Sequence, residues 1–303
     1  MGIGYEYITL KRGERVETTD TWLLEHRSDV HSQNGEDGVI GKILEILPAG
    51  DQWCVEFGAW DGRYLSNTWN LIENKGFSAV LIEGNPGKFG ELRENCSAFP
   101  GVIPLNRFVG FTEKDGLDAI LAETPIPRDF DLLSIDIDGN DYHVWKAVTL
   151  YRPKSVCIEY NPTIPTEVHF VQDADPSVSQ GNSLRALTEL GKSKGYELVS
   201  VLPLNAIFVR SEYFRLFGIR DNRPETLRKD ADLVTYLFSG YDGSVLLRGY
   251  RKLPWHGLEM KESEFQILPK FLRAYPCDYS RLKKHLFSYF QSLRKHHPFR
   301  RGR

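Results

Sequence analysis

The segment SIDIDGNDYH, residues 134–143, sets Asp136, Asp138 and Asp141 within six positions behind an apolar run. Side chains two apart share one face of an extended chain, so Asp136 and Asp138 can act together. The run CIEYNP, 157–162, adds Glu159 and Asn161 at the end of another apolar stretch. Together Asp136, Asp138, Glu159 and Asn161 offer the oxygen-rich donor set that suits Mg²⁺ or Ca²⁺. Asn140 and Asp141 read differently, as a cap and a first-turn acid at the start of a helix. His143 lies one turn further on. By residue type it is a candidate general base, although a lone histidine on a half-buried helix is more often structural.

A second group surrounds VEFGAWDG, 55–62, where Gly58, Ala59 and Gly62 follow a strand-like run directly. Small residues there let the backbone approach a ligand. The pattern is neither the dinucleotide fingerprint GxGxxG nor a P-loop, which requires Gly-Lys-Ser/Thr. Its acids, Glu56 and Asp61, disfavour pyrophosphate and favour a ligand with a cationic centre. In LIEGNP, 81–86, Glu83 ends the next strand, where a carboxylate can accept from both hydroxyls of a ribose. Ahead of these, HSQNGEDG, 31–38, brings Gln33 within a polar run that can contact a carboxylate or amine, with Asn34 as the expected cap of the following helix.

These residues must be carried by elements. Strands are expected at 53–57, 78–83, 102–109, 130–136, 155–161, 196–202 and 205–209. Helices are expected between them, at about 34–47, 65–76, 115–123, 141–148 and 183–194, with another opening at Asn85-Pro86. Such alternation implies an α/β fold with a doubly wound, mostly parallel, Rossmann-like sheet of seven strands. Two residues, Pro203 and Leu204, separate the last two strands, too few for a parallel crossover, so the sheet should end in an antiparallel hairpin. Pro104 marks the 102–109 strand as an edge. Past residue 210 the alternation stops. Residues 211–280 read as an irregular appendage, and 282–293 as an amphipathic helix. The last 23 residues, Arg281–Arg303, hold eight Lys/Arg and no acid. The bland reading is a solvated helix with a basic tail; the sharper one is a docking patch for an anionic partner, a lipid head group or a neighbouring subunit.

Taken in order, HSQNGEDGVI, VEFGAWDGRYLSNT, LIEGNP, SIDIDGND, CIEYN and GNSLRAL…GYELV…NAIFV resemble the FkbM-type branch of the S-adenosylmethionine-dependent methyltransferases, over about residues 31–210. The resemblance implies a class I methyltransferase fold with S-adenosyl-L-methionine as cofactor. It implies that Gln33, Glu56, Gly58, Ala59 and Asp61 line the cofactor, that Glu83 holds its ribose, and that Asp136 faces cofactor and acceptor. It also implies a divalent metal, Mg²⁺ or another, on Asp136, Asp138 and Glu159, with His143 and Asp136 as the catalytic pair. Asp-Ile-Asp-Gly stands where FkbM-like sequences carry Asp-Val-Glu-Gly, so Asp138 keeps the charge on a shorter arm.

The expected organisation is an N-terminal extension over 1–30, a methyltransferase domain over 31–210, and an appendage over 211–303 serving as a cap or in self-association to a homo-oligomer. The expected activity is O-methylation of a small-molecule or glycan acceptor. Two other classes stay open. Asp-Ile-Asp is also the DxD pattern of glycosyltransferases that hold a metal and a nucleoside diphosphate. A binding protein on an inactive methyltransferase fold is the third. A content of 41% hydrophobic and 26% charged residues excludes disorder over most of the length. The net charge of −3 gives no global field for nucleic acid. The first fourteen residues lack an apolar signal core, Glu6 replaces the Ser or Thr of a myristoylation signal, and no run reaches a membrane span. With four cysteines and no CxxC pair, reduced thiols and a cytoplasmic location are expected.

Overall fold

The computed structural model describes residues 19–296, which form two compact units, 19–231 and 232–296. Much of the expected 1–30 extension therefore lies outside the described residues. In the first unit a 3-10 turn, Thr19–His26, precedes α1 (Glu36–Ile46), β1 (Trp53–Phe57), α2 (Trp69–Lys75), β2 (Ser78–Glu83), α3 (Pro86–Cys96) and β3 (Val102–Asn106). Then follow α4 (Leu117–Leu121), β4 (Leu132–Ile135), α5 (Asp141–Ala147), β5 (Ser155–Glu159), α6 (Leu184–Ser193), β6 (Tyr196–Val201), β7 (Asn205–Arg210) and α7 (Pro224–Leu227). The second unit holds the hairpin β8 (Thr235–Ser239) and β9 (Val245–Gly249), the short pair β10 (Lys252–Leu253) and β11 (Leu258–Glu259), and α8 (Arg281–His296).

The first seven strands make one sheet in the order β3-β2-β1-β4-β5-β7-β6. Strands β1 to β5 run parallel, and β7 pairs antiparallel with both β5 and β6. The antiparallel hairpin expected from the two-residue link is thus present. β1, β4 and β5 are buried along nearly their whole length, as their near-continuous apolar runs require when helices cover both faces. β3 is the edge, and Pro104 sits on it opposite Leu81, where an absent N–H can be left on the outer side. Three of the four cysteines, Cys54, Cys96 and Cys157, are buried and free; Cys277 is free and exposed. Burial pushes the Cys54 and Cys157 thiols well up, so they stay neutral core groups.

Local chemistry explains the helix starts. The Asn85 side chain accepts from the amides of Gly87 and Lys88, and Pro86 takes the first helical position of α3. α2 begins at Trp69 rather than 65. Leu65 is left-handed, with φ 56°, and the Ser66 hydroxyl accepts from the amides of Thr68 and Trp69, so 65–68 form a turn of their own. Asn34 is not the cap of α1. Gly35 holds that position at φ 94°, and the Asn34 amide instead donates to Glu36.

At the amino ends of the strands, Lys154 and Asp131 form a buried ion pair, Nζ to Oδ1 2.9 Å. Lys154 also donates to the Pro48 carbonyl, and the Trp53 amide donates to Asp131. Gly50 leaves room for the pair, since a Cβ there would sit 1.9 Å from Asp131 Oδ1. Removing one partner of such a pair strands the other charge in the core. Lys154→Met should lower unfolding free energy by about 3–5 kcal/mol in urea titrations; a loss under about 1 kcal/mol would show that the pair is dispensable.

Candidate functional site

In this sheet order the chain turns to opposite sides after β1 and β4, and a crevice opens beyond their carboxyl ends. Gly58 stands at that crevice with φ +75°, and a Cβ there would lie 1.8 Å from the Asp136 carbonyl oxygen. Only glycine fits, because the backbones leaving β1 and β4 touch. From there the loop is tied to β2: the Ala59 amide donates to Ile82 O at 3.2 Å, and the Trp60 amide to Glu83 Oε2 at 2.9 Å. The other Glu83 oxygen accepts from the Asn85 amide at 2.6 Å, and Asn106 Nδ2 donates to the Glu83 carbonyl at 2.7 Å. Half-buried Glu83 thereby joins the ends of β1, β2 and β3.

A cavity of about 280 Å³ lies along these ends. Gly58, Glu83, Gly84 and Asn85 line it on one side and Ile137 and Asn140 on another; Arg107, Phe108, Val109 and Phe111 come from beyond β3, and Pro176 and Ser179 from the loop before α6. That loop is fastened to the β4–α5 turn. Asn182 Nδ2 donates to Gly139 O, Asn140 Nδ2 donates to Asp175 O, and Gln172 Oε1 accepts from the amides of Gln180 and Gly181. Asn140 is buried, and its Oδ1 has no hydrogen-bond partner although the residue borders the cavity. An unmet buried acceptor is costly, which makes this oxygen a natural point for a ligand N–H or O–H.

Beside Ile137 stands the acidic cluster. Carboxylate oxygens of Asp136, Asp138 and Glu159 lie within 4.8 Å of one another. Asp138 is exposed and left-handed, φ 56°, a conformation aspartate tolerates better than most residues. Burial, joined by repulsion from Asp141, Asp138 and Glu56, pushes the Asp136 carboxyl above its ordinary range. Burial also raises Glu159, with Asp136 next in effect. A proton shared between Asp136 and Glu159, or a cation, relieves this crowding. The chemistry of the donor set, three carboxylates with acidic neighbours, fits a hard divalent ion.

The remaining acids serve the fold. Glu56 is buried; it accepts from Ser66 Oγ at 2.6 Å, Thr68 Oγ1 at 2.7 Å and the Asn67 amide at 2.9 Å, so its oxygens hold the 66–68 turn. Burial still raises its carboxyl, against the pull of those donors. Asp61 accepts from the amides of Arg63 and Tyr64. Asp141 is buried and accepts from the amides of Ile137 and Gly139, which shapes the turn that presents Asp136 and Asp138. In HSQNGEDG, Asp37 Oδ2 accepts from the amides of Val30, His31 and Ser32, while Gln33 is exposed.

The His143 ring makes a 2.8 Å hydrogen bond from Nε2 to the Gln172 carbonyl. A carbonyl only accepts, so Nε2 carries the hydrogen and Nδ1 is the proton-accepting atom of the neutral ring. The ring also packs on Phe111, 5.7 Å between centroids, and Phe111 lines the cavity. Of the expected site residues, the structure brings Gly58 and Glu83 to the cavity and Asp136, Asp138 and Glu159 into the cluster. Gln33, Glu56, Ala59, Asp61, Asp136 and His143 are not among the lining residues, although Ile137, next to Asp136, is. Of the aromatics at the motifs, Trp69 and Tyr160 are core residues. Phe108 and Phe111 take the wall instead; the signal for them was the run NRFVGF, 106–111, straight after an edge strand.

No protein-family model and no curated protein matches the chain. Solved structures similar to it include the N-terminal domain of EvdMO1 with SAH bound: 13% identity, 60% of this chain and 84% of that one, TM-score 0.38. Magnesium protoporphyrin IX methyltransferase from Synechocystis with bound SAH shares 12% identity over 58% of this chain and 81% of its own, TM-score 0.38. A SAM-dependent methyltransferase from Aquifex aeolicus shares 12% identity over 63% and 97%, TM-score 0.37. Likeness this loose carries no argument about activity.

Proposed function

We propose that the chain is an S-adenosylmethionine-dependent methyltransferase of the FkbM type that methylates a hydroxyl of a sugar or other small molecule. The observation that carries this reading is the cavity beyond β1, β2 and β3, with Gly58 and Glu83 on its wall and the acidic cluster next to it. A carboxylate has about four acceptor positions. Glu83 uses two on the amides of Trp60 and Asn85, which leaves two for a ribose diol. Phe108 and Phe111 supply apolar surface for an adenine ring. The bare backbone at Gly58 admits the methionine part, and the Asp136–Glu159 pair, which keeps one negative charge when it shares a proton, is on hand for the sulfonium.

Transfer moves a methyl group from a cationic sulfur to an oxygen in line with it, and charge is lost along the way. The protein has to align the hydroxyl, exclude water and remove its proton. Asp136, Asp138 and Glu159 are the residues that would hold a divalent cation, which supplies Lewis acidity to a sugar hydroxyl. His143 Nδ1 is the proposed proton acceptor, held in that tautomer by the Gln172 carbonyl. Glu56 supports this site by fixing the 66–68 turn.

Isothermal titration should show micromolar binding of S-adenosylhomocysteine, weakened at least about tenfold in Glu83→Ala. Binding of a nucleoside diphosphate with Mn²⁺ instead would favour the DxD reading, and binding of neither would favour the inactive scaffold.

The acidic cluster predicts a pH signature in metal-free buffer. Asp136 and Glu159 have raised carboxyl pKa values in the fold, so above the ordinary carboxylate range the folded state binds more protons than the unfolded one. Stability should then fall as pH rises from there, and Asp136→Asn should flatten the fall. At pH about 8, Mg²⁺ or Mn²⁺ should raise the Tm of the native protein but not of the variant. A Tm indifferent to both pH and metal would remove the metal assignment.

A further inference from the structure

The second unit carries features the proposed chemistry leaves unused. In α8, Leu282, Leu286, Tyr289 and Leu293 follow the i, i+4, i+7, i+11 spacing of one helical stripe. All four are exposed, at 70%, 42%, 65% and 47%. They are not the side by which α8 holds to its unit. Phe287 and Phe290 do that, half-buried, with Phe287 against the Tyr279 ring at 5.6 Å. Helical geometry sets Arg281 and His285 along one border of the stripe; Lys283 and Arg294 fall in the row of Phe287 and Phe290, with Lys283 over the Tyr279 ring and Arg294 over the Phe290 ring.

Charge follows the same division. From residue 232 to 303 there are fourteen Lys/Arg and six Asp/Glu, a net of +8, whereas the preceding 231 residues carry −11. The near-neutral whole therefore conceals a cationic C-terminal segment. Tyr241 and Trp255 of this unit are also exposed, at 92% and 60%. Tyrosine and tryptophan favour the boundary between water and lipid.

We propose that the 232–303 segment docks the protein on an anionic lipid surface, with α8 lying in the plane of the head groups and its Leu/Tyr stripe inserted. An exposed apolar stripe on a helix that is otherwise basic and free of acids is the pattern of an interfacial helix. Phosphates of nucleic acid would use the cations and leave the leucines in water. An acidic peptide would not call for the exposed Trp255 and Tyr241 away from the helix. No helix among the described residues is long and apolar enough to cross a membrane, so the contact is one of lying on the surface. Each Lys or Arg held near such a surface adds about fivefold to partitioning.

The test is co-sedimentation of the full chain with phosphatidylcholine vesicles, with and without about one quarter phosphatidylglycerol. Anionic vesicles should retain the protein at least about tenfold better, and about 0.5 M salt should release it. Leu286→Glu with Tyr289→Glu should cut retention at least about tenfold while Tm stays unchanged, since both side chains are exposed. Equal retention by neutral and anionic vesicles, equal retention of the native protein and the double variant, or binding to poly(U) or polyglutamate without binding to vesicles would each overturn the proposal.

Discussion

The site depends on a single close approach. Where β1 ends, the chain turns through Gly58, and the Asp136 carbonyl leaving β4 occupies the space a side chain at 58 would need. That contact fixes how the two central strands separate beyond the sheet. The next two residues are tied to β2, Ala59 through Ile82 and Trp60 through Glu83, so the loop beyond β1 is held by backbone donors and one carboxylate. On the other side the chain runs directly into Ile137 and Asp138. Crevice, the Glu83 carboxylate on its wall and acidic cluster are thus set by one contact that tolerates no Cβ.

Carboxylates in this region divide by what their oxygens touch. Glu56, Asp37 and Asp141 are buried among backbone amides and hydroxyls, and they shape turns. Glu83 does part of this work and retains acceptor capacity towards the cavity. Asp136, Asp138 and Glu159 face one another, which raises the cost of keeping Asp136 and Glu159 charged. A fold does not gain from such crowding, so its use is sought in a bound cation or proton.

The sheet was legible because its strands are short apolar runs bounded by Gly, Pro and Asn, and because Pro203-Leu204 admits only a hairpin. Gly58 was legible from its place directly after β1, and Glu83 from its place as the last residue of β2. Less so were residues whose role depends on distant partners. Ser66, Asn67 and Thr68 lie in a stretch read as helix from 65 onward but serve Glu56, ten to twelve positions back, and so α2 starts late. Asn34 looked like a cap, yet Gly35 takes the left-handed position that the turn needs. Asn140, Pro176 and Ser179 meet at the cavity only because Gln172 and Asn182 fold the loop before α6 onto the β4–α5 turn, and no local pattern encodes that. Asp136, Asp138 and Glu159 stand together because adjacent parallel strands bring their ends together, whereas Asn161, grouped with them from the sequence, bonds to Gln180 and Thr163.

The central claim is that this crevice holds a sulfonium nucleoside. A crystal structure of the protein soaked with S-adenosylhomocysteine tests it most directly. Density is expected in the cavity, with the ribose hydroxyls on Glu83, the base against Phe108 and Phe111, and the homocysteine passing Gly58 towards Asp136. Density for the nucleoside elsewhere, or an empty crevice at saturating ligand, would contradict it.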